Sequence, residues 1–226
     1  MAGRRQLPYA DRAAAGTALA ADLTEYADRD DVVLGLARGG VPVAAVVAAR
    51  LAVRLDVLVV RKLGLPRQPE VAMGAVAEAA GSLEIVRNPD VLRRARVTDA
   101  EFDRVLAGEV AELRSREDLY RGSGPAVPLQ DRVVLVVDDG LATGATMRVA
   151  VHAIRIQRPA RIVAVAPIGP PDVCAALREV ADDVVCPWQP PDFSAVGAAY
   201  RVFGQTSHDE VRQLLRAPYP SDRPES

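Results

Sequence analysis

Residues 133–147 read Val-Val-Leu-Val-Val-Asp-Asp-Gly-Leu-Ala-Thr-Gly-Ala-Thr-Met, and this stretch decides the fold. Its first five residues are all apolar, which is typical of a short strand buried on both faces of a sheet. Two aspartates end the strand, small residues follow, and residues 147–156 then show helical spacing. A buried strand, a short loop and a helix in this order predict an open α/β sheet. The loop is expected at the carboxyl edge of that sheet, where α/β proteins bind ligands.

The loop at residues 140–146, called here the phosphate loop, has the features that a phosphate group needs. Its glycines leave backbone N–H groups uncovered, its threonines supply hydroxyls, and the following helix adds the positive end of its dipole. Asp138 and Asp139, called here the acidic pair, would repel a phosphate. They suit the vicinal hydroxyls of a sugar and a divalent cation instead. The loop lacks the Gly-Lys-Ser/Thr sequence of a Walker loop.

The acidic pair and the phosphate loop together resemble the signature of type I phosphoribosyltransferases, which bind phosphoribosyl pyrophosphate (PRPP). The resemblance extends from residue 32 to about residue 203. It implies an α/β fold with a doubly wound, mainly parallel sheet and a small C-terminal hood. It also implies that the acidic pair binds the ribose hydroxyls and that the phosphate loop wraps the 5′-phosphate. The PRPP-binding residues in this stretch would be Asp138, Asp139, Gly140, Leu141, Ala142, Thr143, Gly144, Ala145 and Thr146. The alternative is an ordinary turn that carries acids at a strand end.

A second strand–loop–helix unit centres on Ala37, Arg38, Gly39 and Gly40, called here the glycine loop. An apolar run precedes it, an apolar stretch with helical spacing follows, and a further strand then predicts a right-handed parallel crossover. Paired glycines let a backbone approach an anion closely. The segment resembles the pyrophosphate loop of phosphoribosyltransferases, which implies that all four residues contact PRPP. An ordinary turn that enters a helix is the alternative.

Arg61 and Lys62 directly follow that further strand. The prolines, glycines and mixed charges of residues 63–74 then predict a loop rather than a regular element. In the family, this region is a mobile lid over PRPP, led by a basic residue that reaches the pyrophosphate. The resemblance therefore implies that Arg61, Lys62, Asp138 and Asp139 are catalytic. A solvated basic pair is the alternative for the first two.

Other regions predict elements around this core. Residues 72–78 and 83–87 indicate a hairpin at the edge of the sheet, and residues 9–27 indicate one helix. Thr98 and Glu101 form a capping box that opens a helix reaching about residue 119. That helix has no predicted role in binding. We interpret it as a structural helix that packs against the sheet or against a partner subunit.

The hood, predicted at about residues 186–216, includes a Pro-Asp-Phe-Ser-Ala-Val-Gly segment. This segment resembles one in hypoxanthine-guanine phosphoribosyltransferases. The resemblance implies that Asp192 joins the acidic pair at a metal ion, and that Cys186 and Trp188 lie beside the acceptor base. A plug in the core is the alternative for Trp188. Cys174 and Cys186 are the only cysteines and lack metal-site spacing, which predicts two buried, reduced thiols.

Composition and charge limit the remaining possibilities. The 226 residues carry a formal net charge of −2, which argues against a nucleic-acid surface. No apolar run reaches membrane-spanning length and none follows Arg4 and Arg5, so we expect a soluble, cytoplasmic protein. The expected organisation is one domain over residues 1–220, with a core at about 10–185 below the hood and a disordered tail at 217–226. A homodimer is a further expectation.

The resemblance implies a function and leaves two hypotheses. The first is a Mg²⁺-dependent enzyme of nucleotide salvage that transfers the phosphoribosyl group from PRPP to a nitrogenous, purine-like base and releases pyrophosphate. The second is a PRPP-sensing regulatory protein with little or no catalysis. The complete glycine loop, the basic pair Arg61 and Lys62, and the complete acidic pair and phosphate loop favour the enzyme. Ala142 stands where hypoxanthine-guanine enzymes carry an aspartate beside the base, which resembles the adenine-type enzymes and favours the sensor.

Overall fold

The computed structural model describes residues 8–27, 29–79, 82–122 and 125–216. The helices are α1 (Arg12–Ala20), α2 (Gly40–Leu51), α3 (Pro89–Ala95), α4 (Asp99–Arg121), α5 (Ala145–Arg155), α6 (Pro171–Leu177) and α7 (His208–Leu215). The strands are β1 (Val32–Leu36), β2 (Arg54–Leu58), β3 (Val60–Leu65), β4 (Gln68–Ala79), β5 (Ser82–Arg87), β6 (Val133–Val137), β7 (Arg161–Val165) and β8 (Asp183–Val185). Short 3₁₀ turns lie at Thr24–Tyr26 and Val196–Ala199.

Five strands form a parallel sheet in the order β2-β1-β6-β7-β8. Every residue of β1 and β6 is buried, as their apolar runs predict. Alternate side chains of β6 enter opposite layers: Val134 and Val136 pack with α5, whereas Leu135 and Val137 pack with α1 and α2. Helices on both faces of a parallel sheet confirm the predicted doubly wound α/β fold. Because β1 and β6 are neighbours, the loops that follow them meet at one carboxyl edge.

A separate antiparallel sheet of three strands, ordered β3-β4-β5, follows β2. The prediction of a loop at residues 63–74 was therefore wrong. β3 and β4 pair across this region and are joined by a turn at Pro66 and Arg67. Leu63 and Met73 are buried against the rest of the molecule, so the burial of these side chains outweighs the prolines and glycines around them.

The predicted hairpin of residues 72–78 and 83–87 is confirmed as part of β4 and β5. Its predicted place at the edge of the parallel sheet was wrong, because β4 pairs with β3 on its other side. Gly64 marks an irregularity in the β3–β4 register, where a Cβ atom would lie 2.4 Å from the carbonyl oxygen of Pro69. The glycine that suggested a loop thus permits a bulge within a strand.

The first helix is shorter than the predicted span of residues 9–27. Asp11 caps α1 by accepting a hydrogen bond at 2.8 Å from a backbone N–H of the first turn, and it thereby fixes where the helix begins. Tyr9 pairs with the hood instead. Its N–H donates to the Ala199 carbonyl and its carbonyl accepts from the Arg201 N–H, both at 2.8 Å. The residues just before α1 are therefore attached to the C-terminal part of the chain.

The capping box predicted at Thr98 is confirmed and opens α4. Phe102 and Leu113 are buried and pack this helix against the antiparallel sheet. At the other end of α4, the Nε atom of Arg121 donates to a carboxylate oxygen of Asp56 in β2 at 3.0 Å. The helix is thus anchored to both sheets.

No helix in the described ranges is long and apolar enough to cross a membrane. Arg4, Arg5 and the predicted tail at residues 217–226 lie outside the described residues. The division into one core and a hood stays a prediction.

Candidate active site

The acidic pair lies at the carboxyl edge of the parallel sheet, directly after β6. The Asp138 N–H donates to the Val165 carbonyl of β7 at 3.1 Å, and the Asp139 N–H donates to Oδ1 of Asp138 at 2.9 Å. Burial, and then the neighbouring charge of Asp139, raise the pKa of Asp138 well above its ordinary value. Burial also raises the pKa of Asp139. Two carboxyl groups in such surroundings favour a bound cation or hydroxyl donors.

The glycine loop packs directly against the acidic pair. A Cβ atom on Gly39 would lie 2.2 Å from Oδ2 of Asp139, and one on Gly40 would lie 2.4 Å from the Val137 carbonyl oxygen. A side chain at position 40 would meet backbone atoms, so that position requires glycine, whereas a side chain at position 39 would have to displace the Asp139 carboxylate or the loop. The Ala37–Arg38 peptide bond is cis. The structure therefore brings the glycine loop into contact with the acidic pair.

The phosphate loop leads into the N-terminus of α5. Leu141 is buried and its N–H donates to the Ile168 carbonyl at 2.8 Å, which anchors the loop. Gly144 precedes the helix with a left-handed φ of 69°. Thr143 and Thr146 are exposed on either side of it. Exposed hydroxyls beside a helix N-terminus suit a phosphate group.

Arg12 of α1 contacts the acidic pair, which the sequence did not predict. Its Nε and Nη2 atoms lie 2.8 and 2.7 Å from Oδ2 of Asp139, and its Nη1 donates to the Gly204 carbonyl at 2.7 Å. Its guanidinium carbon lies 4.1 Å from the centroid of the Phe203 ring. Arg12 lowers the pKa of Asp139 and so opposes the effect of burial. No local motif reveals this contact, because 127 positions separate Arg12 from Asp139.

A cavity of about 480 Å³ opens beside this ion pair. Its lining residues are Arg12, Arg38, Gly39, Asp139, Phe203, Gly204, Gln205 and Thr206. Tyr200 supports this wall, because its hydroxyl donates to the main-chain carbonyl of Asp139 at 2.5 Å. Residues 203–206 are therefore the part of the hood that lines the cavity, and the sequence motifs pointed to an earlier segment of the hood.

Arg61 and Lys62, which were predicted to be catalytic, each have an acidic partner. The Nε and Nη2 atoms of Arg61 lie 2.7 and 2.6 Å from Oε2 of Glu109 in α4. The Nζ atom of Lys62 lies 3.7 Å from the Glu70 carboxylate and donates to the Glu70 carbonyl at 3.1 Å. Neither cation lines the cavity beside the acidic pair. Their catalytic roles stay predictions.

Trp188 is half-buried within the hood. Its ring meets the Tyr9 ring edge-on, with centroids 6.4 Å apart, and it packs with the buried side chain of Ile168. This packing favours a plug over a stacking surface. Cys186 and Cys174 are both buried and unoxidised, in agreement with the prediction of two buried thiols. The predicted contacts of Cys186 and Trp188 with a base stay predictions.

Asp192 lies in an exposed turn of the hood. Within the described ranges, no three His, Cys, Asp or Glu side chains are grouped closely enough to hold a metal ion together. The structure therefore does not bring Asp192 to the acidic pair as a third ligand, and its metal-binding role stays a prediction.

Comparison with known proteins agrees with this geometry. The family model for the phosphoribosyl transferase domain matches residues 9–194. Two proteins from Mycobacterium tuberculosis, strains CDC 1551 and H37Rv, carry the provisional name phosphoribosyl transferase and are 45% identical over 207 residues. These matches cover 92% of this chain and 46% of each relative, so the chain spans about half their length. The crystal structure of TT1426 from Thermus thermophilus is 40% identical, with a TM-score of 0.77 over 92% of this chain and 97% of that one. The matched residues include both loops and the acidic pair, and the chain belongs to the phosphoribosyl transferase family.

Proposed function

We propose that the protein transfers the 5-phosphoribosyl group from PRPP to a nitrogenous, purine-like base with release of pyrophosphate. The observation that carries this proposal is the contact between the glycine loop and the acidic pair at one edge of the parallel sheet. Membership of the phosphoribosyl transferase family supports it. In the proposed complex, the acidic pair binds the ribose hydroxyls, the phosphate loop binds the 5′-phosphate and residues 37–40 bind the pyrophosphate.

The acidic pair also fits a Mg²⁺ ion. Asp138 and Asp139 offer adjacent carboxylate oxygens, which are the ligands that Mg²⁺ prefers, and burial raises the pKa of both groups so that a cation would favour their ionised forms. Asp138 has no ion-pair partner in the described part of the chain, whereas Arg12 partners Asp139. The proposed ligands are Asp138 and Asp139. Asp192 lies in an exposed turn of the hood and would join them only if the hood moved towards the acidic pair. The ion would neutralise negative charge on PRPP when bound.

Little covalent chemistry is required of the protein. The anomeric bond breaks with oxocarbenium character, as in glycoside hydrolysis, and a nitrogen atom of the base attacks the opposite face of the ribose. The backbone N–H groups of the glycine loop, together with Arg61 and Lys62, stabilise the departing pyrophosphate. To do so, Arg61 must break its ion pair with Glu109 and bind the pyrophosphate instead. The binding loops contribute by holding PRPP in place. Closure of the β3–β4 region, which corresponds to the lid of the family, would exclude water.

A second candidate function is PRPP sensing without catalysis. Two observations favour it: Ala142 supplies no acid beside the base, and Arg61 and Lys62 are both paired within the chain. A sensor would bind Mg²⁺ and PRPP but transfer nothing to a base. The two functions thus share a binding site and differ in turnover.

Isothermal titration calorimetry with PRPP and Mg²⁺ tests the shared site. The double variant Asp138→Asn/Asp139→Asn should bind PRPP about fivefold to a hundredfold more weakly, a loss of about 1–3 kcal/mol. A matched control is Asp182→Asn/Asp183→Asn, which alters two adjacent aspartates at the opposite edge of the sheet, at the start of β8. Equal affinity in the wild type and the first double variant would refute the proposed site.

Product formation separates the enzyme from the sensor. Labelled PRPP is incubated with adenine, hypoxanthine, guanine, xanthine, uracil or orotate, and nucleotide formation is measured. Products from purines are expected. Products from uracil or orotate alone would refute the purine-like acceptor, and PRPP binding without any product would favour the sensor.

A further inference from the structure

Arg12 contacts one oxygen of Asp139 and leaves the other without a contact from its guanidinium. Both Nε and Nη2 lie within 2.8 Å of Oδ2. Oδ1 accepts no hydrogen bond from another residue in the described part of the chain. A carboxylate held in this way keeps one oxygen for a hydroxyl donor, while its orientation is fixed through the other.

The same guanidinium reaches the hood through its remaining donor and its flat face. Nη1 donates to the Gly204 carbonyl, and the guanidinium lies over the Phe203 ring. That ring stacks on Tyr200 with centroids 5.0 Å apart, and the Tyr200 hydroxyl returns to the Asp139 carbonyl. Arg12, Phe203 and Tyr200 therefore form a continuous set of contacts that begins at the Asp139 carboxylate and ends at the Asp139 main-chain carbonyl.

The ion pair is shielded from solvent but adjoins the cavity. The side chains of Arg12 and Asp139 are each 14% exposed, so their charges interact more strongly than those of an ordinary surface pair. Both residues line the cavity together with Arg38 and Gly39 of the glycine loop. A purely structural ion pair would not need to adjoin the cavity between the proposed pyrophosphate and ribose sites.

We propose that Arg12 is a PRPP-positioning residue, which rests on the proposed function. It orients Asp139 so that Oδ1 accepts a ribose hydroxyl, and it couples that carboxylate to residues 203–206 of the hood. Binding of the ribose and the arrangement of the hood are therefore linked through one side chain. Pyrophosphate, which binds to the glycine loop, does not depend on this link.

Calorimetry with three probes tests this role. Arg12→Met keeps an unbranched side-chain stem but removes the guanidinium group, with its charge and its donors. We expect its affinity for PRPP with Mg²⁺, and for ribose 5-phosphate, to fall about tenfold. Its affinity for pyrophosphate with Mg²⁺ should not change. Arg12→Lys keeps the charge and should show an intermediate loss for the two ribose-containing probes.

Arg155→Met is the matched control, because it breaks an exposed ion pair with Asp182, 2.8 Å long, at the opposite edge of the sheet. It should leave all three affinities unchanged. Wild-type protein that binds no PRPP would refute the proposed function and this inference together. PRPP binding in the wild type with unchanged or tighter binding in Arg12→Met would refute the inference alone, as would an equal loss for all three probes. If circular dichroism shows that Arg12→Met does not fold, the pattern in Arg12→Lys decides by the same criteria.

Discussion

Glu109 holds Arg61 through two contacts to a single oxygen, with Nε and Nη2 at 2.7 and 2.6 Å from Oε2. Both side chains are about a quarter exposed, at 25% for Arg61 and 27% for Glu109. Glu109 lies in the middle of α4, the long helix to which the sequence assigned no binding role. Helix α4 therefore pairs with Arg61, the cation that the proposed reaction needs at the pyrophosphate.

Removing the charge of Glu109 should release Arg61. We expect Glu109→Gln to bind pyrophosphate with Mg²⁺ about two- to fivefold more tightly, because a partly exposed ion pair is worth about 0.5–1 kcal/mol and would no longer have to be broken. Calorimetry measures this change. Glu112→Gln is the control, since Glu112 pairs with Arg116 on the same helix. Weaker binding in Glu109→Gln would instead mean that Glu109 orients Arg61 for its ligand.

A methyl group at Gly39 should damage the site without unfolding the protein. Its carbon would lie 2.2 Å from Oδ2 of Asp139, so either the loop or the carboxylate must move. We expect Gly39→Ala to bind PRPP at least about tenfold more weakly by calorimetry. Gly108→Ala is the control, because Gly108 lies within α4 with open space around it. That change should raise the free energy of unfolding by about 0.5–1 kcal/mol and leave PRPP affinity unchanged. Unaltered PRPP affinity in Gly39→Ala would contradict the proposed pyrophosphate loop.

Glu117 should make stability fall as the pH rises. Burial raises the pKa of Glu117 from 4.5 to about 7, and the charge of Arg121 only partly opposes this. Between these two pH values Glu117 binds more protons in the folded protein than in the unfolded chain, so its contribution to stability decreases as the pH increases. The full shift corresponds to about 3 kcal/mol. Glu117→Gln does not titrate and should gain stability relative to the wild type over this range.

Urea unfolding at pH 5 and pH 8 measures the effect of Glu117. The stability of Glu117→Gln relative to the wild type should be higher at pH 8 than at pH 5. Glu112→Gln, on the exposed side of the same helix, should show no comparable gain at the higher pH. A constant difference between Glu117→Gln and the wild type would show that folding does not raise the pKa of Glu117.

Trp188 allows its two interpretations to be separated by experiment. Its packing against Tyr9 and Ile168 predicts that Trp188→Ala lowers the free energy of unfolding by about 2–3 kcal/mol. This loss is smaller than that for most fully buried aromatic side chains, because the Trp188 ring is only half-buried. PRPP affinity should not change. Urea unfolding and calorimetry give the two values. A variant of normal stability that no longer binds a purine base would establish stacking instead.

The parallel sheet and both ligand loops could be predicted because their signals are local. The apolar side chains of β1 and β6 point to both faces of the sheet, so they are all buried only if both faces are covered. Each of these strands is followed directly by its loop. The contact between Gly39 and Asp139 then follows from the pairing of the two strands. Adjacent parallel strands bring their carboxyl-terminal loops together whatever the length of chain between them.

The antiparallel hairpin and the Arg12 contact could not be predicted in this way. Gly64, Pro66 and Pro69 are residue types that usually indicate a loop. The pairing of β3 with β4, and the burial of Leu63 against α4, show that the region is a hairpin. Arg12 belongs to a helix whose sequence indicates only an apolar face. Its partner depends on how α1 and the hood are placed around the sheet, which is a property of the whole fold.

The pairing of Tyr9 with residues 199–201 has a practical consequence for preparing the protein. Residues 9–11 run beside the hood and lead directly into Arg12 at the start of α1. A tag or fusion that disturbed this backbone pairing would shift α1, and with it Arg12 at the wall of the cavity, so dissociation constants should be compared between protein tagged at either end.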